Sequence, residues 1–419
     1  MSKRKTYVVQ EGDTVQDISA RFLGVPALYP KILESNLYIT SRPNDNVFPG
    51  DVLIIPDLDL IEPDFGEDDF TTTVKILIDG VDFPNFSEFS LELSMDRAAD
   101  QFSFVSPWEP ENEILKNIFI PFKYNDVKIF IGGVLKLTGT IINVIPTTSE
   151  TSSLQVEGYS KCGILNDCNM PLSSYPLVYK TLTIGDISNT LVQPFNLTSI
   201  DNTVDTFVFE DVDIKPTSKV YSFLSGLCKK RGSLITSLPD GNIVIQKATT
   251  EKASFSLVQG SPNIVSITAN FNGQGGYTSV SGLLKGKDTD EATADDDSFT
   301  ETDKFMVAES ASRPLVIEFD DIEIGALQAG VKSKLRRMLA DRISYSIVLE
   351  GWRDPNGALW EDNMRVNIEY PLVMIYNITE FLVRNVELSQ ESDKEIAKLT
   401  LVLPQSYNDE ELEGLPWLE

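Results

Sequence analysis

Period-two alternation of apolar residues is the strongest constraint in this sequence. Val74, Ile76 and Ile78 fall on one face of an extended segment, and Thr73, Lys75 and Leu77 on the other. Phe89, Leu91 and Leu93 repeat the pattern. A residue spacing of two is the signature of a strand with one buried face. The same reading predicts strands over 127–131, 136–144 and 154–159, the first two separated by Gly132-Gly133. It predicts further strands over 264–271, 279–285, 344–350, 365–369, 381–389 and 396–403, with 374–378 as a strand edge. Many short strands with turn residues between them point to a barrel or a sandwich. The stretch 108–120, with Pro107, Pro110 and Pro121 around it, reads as an irregular insertion.

Two segments depart from this pattern. Residues 57–70 hold seven acids and no bases, and read as an extended acidic linker. Residues 287–303 hold eight acids against one lysine, and read as a solvated mobile loop.

Between about 161 and 250 the chain reads as a compact α/β insert. Thr183 followed by Asp186 is a capping-box start for a short helix faced by Ile184, Ile187 and Leu191. A second helix begins near Thr217-Ser218, faced by Val220, Phe223, Leu224, Leu227 and Cys228. Lys229, Lys230 and Arg231 suit its C-terminal dipole, and Gly232 stops it. A hairpin turning at Pro239-Asp240-Gly241 follows. The clearest helix of the chain spans 327–342, with Leu327, Val331, Leu335 and Leu339 on one face and Met338 beside them. Lys332, Lys334, Arg336 and Arg337 give it a basic side. In a chain of net charge −28 this is the candidate surface for an acidic partner.

Composition narrows the chemistry. There is no histidine, so Ser-His-Asp and Cys-His catalysis and histidine zinc sites are excluded. Three cysteines, Cys162, Cys168 and Cys228, cannot make a disulfide framework or a four-thiolate zinc site, and read as reduced and buried. No cofactor, metal or catalytic residue is expected. The acidity argues against binding nucleic acid through its phosphates, though it suits a channel wall past which DNA slides. No apolar run reaches a membrane span, and none follows the basic start as in a signal peptide, so synthesis in a host cytoplasm is expected.

The first residues carry a separate motif. Tyr7-Val8-Val9-Gln10 is a strand run, Gly12-Asp13-Thr14 a turn, and Asp13 or Thr14 can cap the next helix. Ile18 and Phe22 share a helical face, and Leu28, Ile32 and Asn36 repeat that spacing. Pro49-Gly50-Asp51 then turns into Val52-Leu53-Ile54-Ile55. This segment resembles a LysM domain. The resemblance implies that Gly12, Asp13, Thr14 and Asn36 contact a glycan or a partner protein. The long stretch 37–47 departs from the usual pattern, which favours a structural joint over sugar binding.

The end of the chain resembles the central hub protein of contractile, Mu-like phage baseplates. The residues that carry the resemblance are Gly351-Trp352, Gly357-Ala358-Leu359-Trp360, Asn363, Phe381-Leu382-Val383 and 399–404, in that order after the basic helix. Of these, Gly351, Trp352, Leu359, Trp360 and Asn363 are read as structural motif positions. The resemblance implies a mainly β (α+β) fold: two tail-tube-like β-barrel domains with an α/β insert, preceded by a small βααβ LysM domain. The expected divisions are 6–56 LysM, 57–71 acidic linker, 72–160 first barrel, 161–250 insert, 251–405 second barrel with its basic helix at 325–342, and 406–419 tail. It further implies a non-enzymatic virion protein, a homotrimer that joins a six-fold tail tube to a three-fold spike. Its expected partners are tail tube proteins, the spike protein, baseplate wedge proteins and the tape measure protein, with peptidoglycan through LysM. DNA would pass its lumen without specific binding. Two rivals stay open: a LysM-anchored cell-wall hydrolase and a LysM-anchored peptidoglycan-binding protein.

Overall fold

The computed structural model describes residues 5–10, 12–23, 29, 32–33, 36, 39, 47–55, 73–149, 151–284, 298–302, 312–319, 324–391, 394–408, 410–412 and 414–418. The acidic stretch 57–70, most of the expected second LysM helix and most of the acidic loop fall outside these residues. The fold is mainly β, as the alternation predicts. The chain divides into two compact units that are not consecutive in sequence: 1–86 with 106–156, and 87–105 with 157–419.

In the first unit, strand Lys5–Val8 pairs antiparallel with Val52–Ile55. Helix Val15–Leu23 is the described helix of this module. Ile18, Ile32, Ile39 and Leu53 are fully buried in its core, with Val9, Val15, Leu33 and Ile55 around them. The rest of the unit is an antiparallel ladder in which Asp126–Ile131 lies between Val74–Ile78 and Val134–Thr148. The hairpin turns on Gly132 and Gly133, both at positive φ, where a side chain would be strained. The strand Val134–Thr148 is longer than expected at both ends. The stretch expected to be irregular holds a short helix, Glu113–Ile118, because the Asn112 side chain accepts hydrogen bonds from the Ile114 and Leu115 amides.

The second unit is organised around one long strand, Ile375–Glu391. Its later half carries Lys394–Val402 on one side and Glu88–Ser94 on the other. Beyond Lys394–Val402 come Ile343–Glu350 and then Ile264–Phe271. Its first half pairs with Arg365–Tyr370, which pairs in parallel with Ser256–Val258. The ladder from Asn385↔Ser94 to Glu391↔Glu88 ties two segments almost three hundred residues apart in sequence. Period two shows that Phe89, Leu91 and Leu93 need a covered face, but not which strand lies alongside them.

Between these strands sits the α/β layer. Ser199–Asp201 runs parallel to Ile243–Gln246, which pairs antiparallel with Leu234–Ser237. Helix Ile184–Val192 opens with the expected capping box on Thr183 and Asp186, and Val220–Lys230 packs beside it. Ile187, Leu191, Leu224 and Ile245 are the fully closed centre of this core.

Alternation accounts for only part of a last layer. Ser298–Thr302, expected to be loop, and Pro314–Phe319, not foreseen, flank Ser279–Leu284 in a three-stranded sheet. This sheet packs on helix Ile324–Arg342 through Val280, Phe319, Leu327, Val331 and Met338. The approach is close: a methyl group at Gly282 would lie 2.5 Å from Val331 Cγ2, so only glycine fits there.

Candidate functional site

The N-terminal turn is built by its own side chains. The Tyr7 hydroxyl donates to Asp13 Oδ2 at 2.6 Å and the Gln10 amide donates to the same oxygen at 2.9 Å. These two bonds hold the Asp13 carboxyl below the usual range. Thr14, not Asp13, caps the helix: the Asp17 amide donates to Thr14 Oγ1 at 3.1 Å, and Thr14 Oγ1 donates back to Asp17 Oδ2 at 2.6 Å. Gly12 is exposed, with φ +88°, and leaves the turn without a side chain.

Asn36 is a correction to the sequence reading. The LysM resemblance puts it at a contact surface, yet it is only 3% exposed. Its Nδ2 donates to the Ile32 and Ile54 carbonyls at 2.7 and 2.8 Å, and its Oδ1 accepts from the Ile54 amide at 2.8 Å. Its hydrogen-bonding groups are spent inside the module, and no face of the amide is offered to a ligand.

The Gly-Trp and Gly-x-Leu-Trp positions form a closed loop. Gly351 and Gly357 take φ of 85° and 88°, and an Arg353–Leu359 bridge with the Trp360 amide donating to Trp352 O closes the turn between them. Trp352 and Trp360 are both buried, and Leu359 nearly so. Trp352 Nε1 donates to Ser389 O and Ile396 O at 3.1 and 3.2 Å, across the hairpin of the two longest C-terminal strands. Asn363, with φ 55°, accepts the Thr249 amide at 2.8 Å, so the motif fixes the core rather than presenting a site.

The basic helix lies along a cleft of about 720 Å³. Lys332 and Arg336 face it from the helix, with Lys230, Arg231 and Lys247 opposite. Arg337, expected to be exposed, is mostly covered: its Nη2 donates to Ser233 O at 2.9 Å, and its guanidinium lies 5.2 Å from the Tyr407 ring centre. Lys334 lies on the other flank, beside Lys229 and Arg384. Burial, and then the nearby Arg337 charge, lower the Lys229 pKa.

Buried ionisable groups elsewhere are structural. Asp96 accepts from Arg384 Nε at 2.8 Å and from the Tyr407 hydroxyl at 2.7 Å. Asp100, 7% exposed, accepts from the Ser94 amide and the Ser237 hydroxyl, and burial pushes its pKa up to about 6. Cys162 and Cys228 are buried, and burial pushes both thiols up to about 12, while Cys168 is half-buried; all three are free. Among the described residues no cluster of three or more acids and cysteines could hold a metal ion, and no helix is long and apolar enough to cross a membrane.

A mainly β chain joined around one long C-terminal strand, with an α/β layer and an N-terminal two-stranded module, is a fold shared with solved phage tail proteins. It matches the 43 kDa tail protein of prophage MuSo2 from Shewanella oneidensis with a TM-score of 0.69, at 21% identity, over 81% of this chain and 100% of that one. It matches the tail protein from Neisseria meningitidis MC58 with a TM-score of 0.67, at 18% identity, over 80% and 99%.

The particular resemblance is to the hub. Residues 162–247 match the family "Baseplate hub protein gp44-like, second domain", and residues 7–56 match the LysM domain family. The chain is 26% identical over 330 residues to "Baseplate hub protein gp44" of Escherichia phage Mu, covering 76% of this chain and 84% of that protein. The resemblance to the baseplate hub proteins of Mu-like tails, with a LysM domain at the N-terminal end, is therefore borne out.

Proposed function

We propose that this chain is the trimeric central hub of a contractile tail baseplate, joining the six-fold tail tube to the three-fold spike. The observation that carries the reading is the ladder between Glu88–Ser94 and Ile375–Glu391. It makes an early β segment and the C-terminal strands one hydrogen-bonded body, as suits a part that transmits load. The two β regions act as tube-like barrels whose strand edges are covered by neighbours in a closed ring. The partners are then tail tube, spike, wedge and tape measure proteins in the virion, and the net charge of −28 keeps DNA sliding past without adhesion. The role is mechanical, not enzymatic.

Mass measurement of the protein alone and with its tube and spike neighbours tests this. A trimer, or a monomer that becomes one with those partners, is expected. A stable monomer that ignores both overturns the reading.

The LysM match supports a second reading, a peptidoglycan-binding or hydrolytic protein. Hydrolysis needs two carboxyl groups flanking an open cleft. Asp100, whose pKa is raised by burial, is closed off and bonded to Ser237 and Ser94 instead. Release of reducing ends from purified murein, or its retention by the full chain, would favour this reading. On the hub reading, the module docks a neighbouring baseplate protein.

A further inference from the structure

The cleft beside helix Ile324–Arg342 concentrates positive charge in a chain of net charge −28. Among the described residues six cations line it: Lys230, Arg231, Lys247, Lys332, Arg336 and Arg337. The two acids in its wall among the described residues, Asp205 and Glu410, are already engaged. Asp205 accepts from Arg231 at 2.9 and 3.2 Å, and Glu410 accepts from the buried Arg365 at 2.7 and 3.2 Å. Among the described residues the wall thus carries more cations than acids.

A second feature sits at the mouth of the cleft. Val204 is 93% exposed and has φ 57°, a conformation that a β-branched residue rarely adopts. The loop around it is locked: the Thr203 amide and hydroxyl donate to Asp201 Oδ1 at 2.9 and 2.7 Å, and the Asp205 amide donates to Thr203 Oγ1 at 3.2 Å. Strain held in place by surrounding bonds marks positions where a side chain is aimed for use. Here it holds an apolar isopropyl group out beside the cations.

We propose that this cleft binds an acidic polypeptide segment of a partner protein, its carboxylates on the Lys247 and Lys332 walls and an apolar side chain against Val204. A nucleic acid fits less well. Phosphates continue along a strand beyond the cleft, and a chain of net charge −28 repels such a strand, whereas a short acidic segment ends where the positive wall ends. The apolar prong also favours a peptide, which can alternate charge with hydrocarbon. The inference does not depend on the hub reading, and oligomer mass reads that one separately.

The test is fluorescence anisotropy of the full chain with a labelled 12-residue peptide in which Asp and Glu alternate with Leu and Val, at low salt. Saturable binding is expected, weakened at least tenfold by Lys247→Glu with Lys332→Glu and several-fold by Val204→Gly. Melting curves of the variants report their folding. Where charge reversal disturbs folding, Lys247→Gln with Lys332→Gln serves, with a loss of several-fold expected. No saturable binding by the natural chain, unchanged affinity in the folded double variant, or equal affinity for a 12-nucleotide single strand would each overturn the proposal.

Discussion

Asn36 and Ile54 pair as two strands would: the Ile54 amide donates to Asn36 Oδ1 and Asn36 Nδ2 donates to the Ile54 carbonyl, both at 2.8 Å. One side chain thus satisfies both backbone groups of a residue in the closing strand, and a third bond to Ile32 O fixes it in the core.

Asn36→Ala is expected to destabilise the N-terminal module by about 2–4 kcal/mol, since it strands a buried amide and two carbonyls. Hydrogen exchange in the full chain reads this directly. The Ile54 amide should lose its protection while core strands of the second unit, such as Ile343–Glu350, keep theirs. Unchanged protection at Ile54 would contradict the assigned role.

Arg365, 3% exposed, bonds Glu380 and Glu410 at 2.7 Å each and the Thr249 carbonyl at 3.0 and 2.8 Å. Arg365→Ala should cost about 1–3 kcal/mol, because it leaves the part-buried Glu410 without its cation and Glu380 with Lys252 alone, at 3.0 Å. The acid response has a definite sign. Glu410 is lowered chiefly by the Arg365 hydrogen bond. Glu380 is lowered although burial opposes it, through the Ala253 amide and then Arg365. Folded carboxyls held below their unfolded range add stability that is complete above about pH 4.3 and lost as pH falls through the lower folded values. Denaturant melts between pH 5 and 3 should show this loss in the natural chain and much less of it in Glu380→Gln with Glu410→Gln.

Asp100 acts in the opposite sense. Burial raises its pKa to about 6, so the folded state holds a proton that the unfolded state has released. Its contribution is fully present below about pH 4, declines as pH rises, and is gone above about pH 6. Asp100→Asn keeps an oxygen for the Ser94 amide, so it should flatten stability between pH 4 and 6 and stabilise the protein at pH 7 by about 1–3 kcal/mol. Urea midpoints at pH 4 and 7 check it; a variant less stable at pH 7 would contradict it.

The two buried tryptophans should respond differently to phenylalanine. Trp352 Nε1 has two carbonyl partners, whereas Trp360 Nε1 meets no acceptor among the described residues. Both substitutions open a cavity, but only Trp352→Phe also breaks hydrogen bonds, so it should cost about 1 kcal/mol more than Trp360→Phe. Thermal or urea unfolding of the two variants measures the difference.

What was legible in the sequence was local. Alternation located most strands because each must cover one face, and Thr183 with Asp186 marked a helix start because unpaired amides need a nearby acceptor. Helix Glu113–Ile118 was missed among prolines, although Asn112 carries the cap that could have announced it. Ser298–Thr302 was hidden by the acidic run around it, because Phe299 is its one apolar residue and a single apolar position shows no period. The site residues divided in the same way. Lys332 and Arg336 face a cleft as their basic helix suggested, but Lys230, Arg231 and Lys247 join them only through folding.

By itself, the sequence determined the β character of the chain, the N-terminal motif, the helix starts and the absence of histidine chemistry, all properties of spacing and composition. Tertiary structure decided that Glu88–Ser94 lies beside Ile375–Glu391, that Asn36 is interior, and that cations from three separate segments share one cleft. Strand partners and convergent charges depend on which faces meet, and a backbone that offers the same hydrogen bonds to any neighbour carries no local mark of the neighbour it will take.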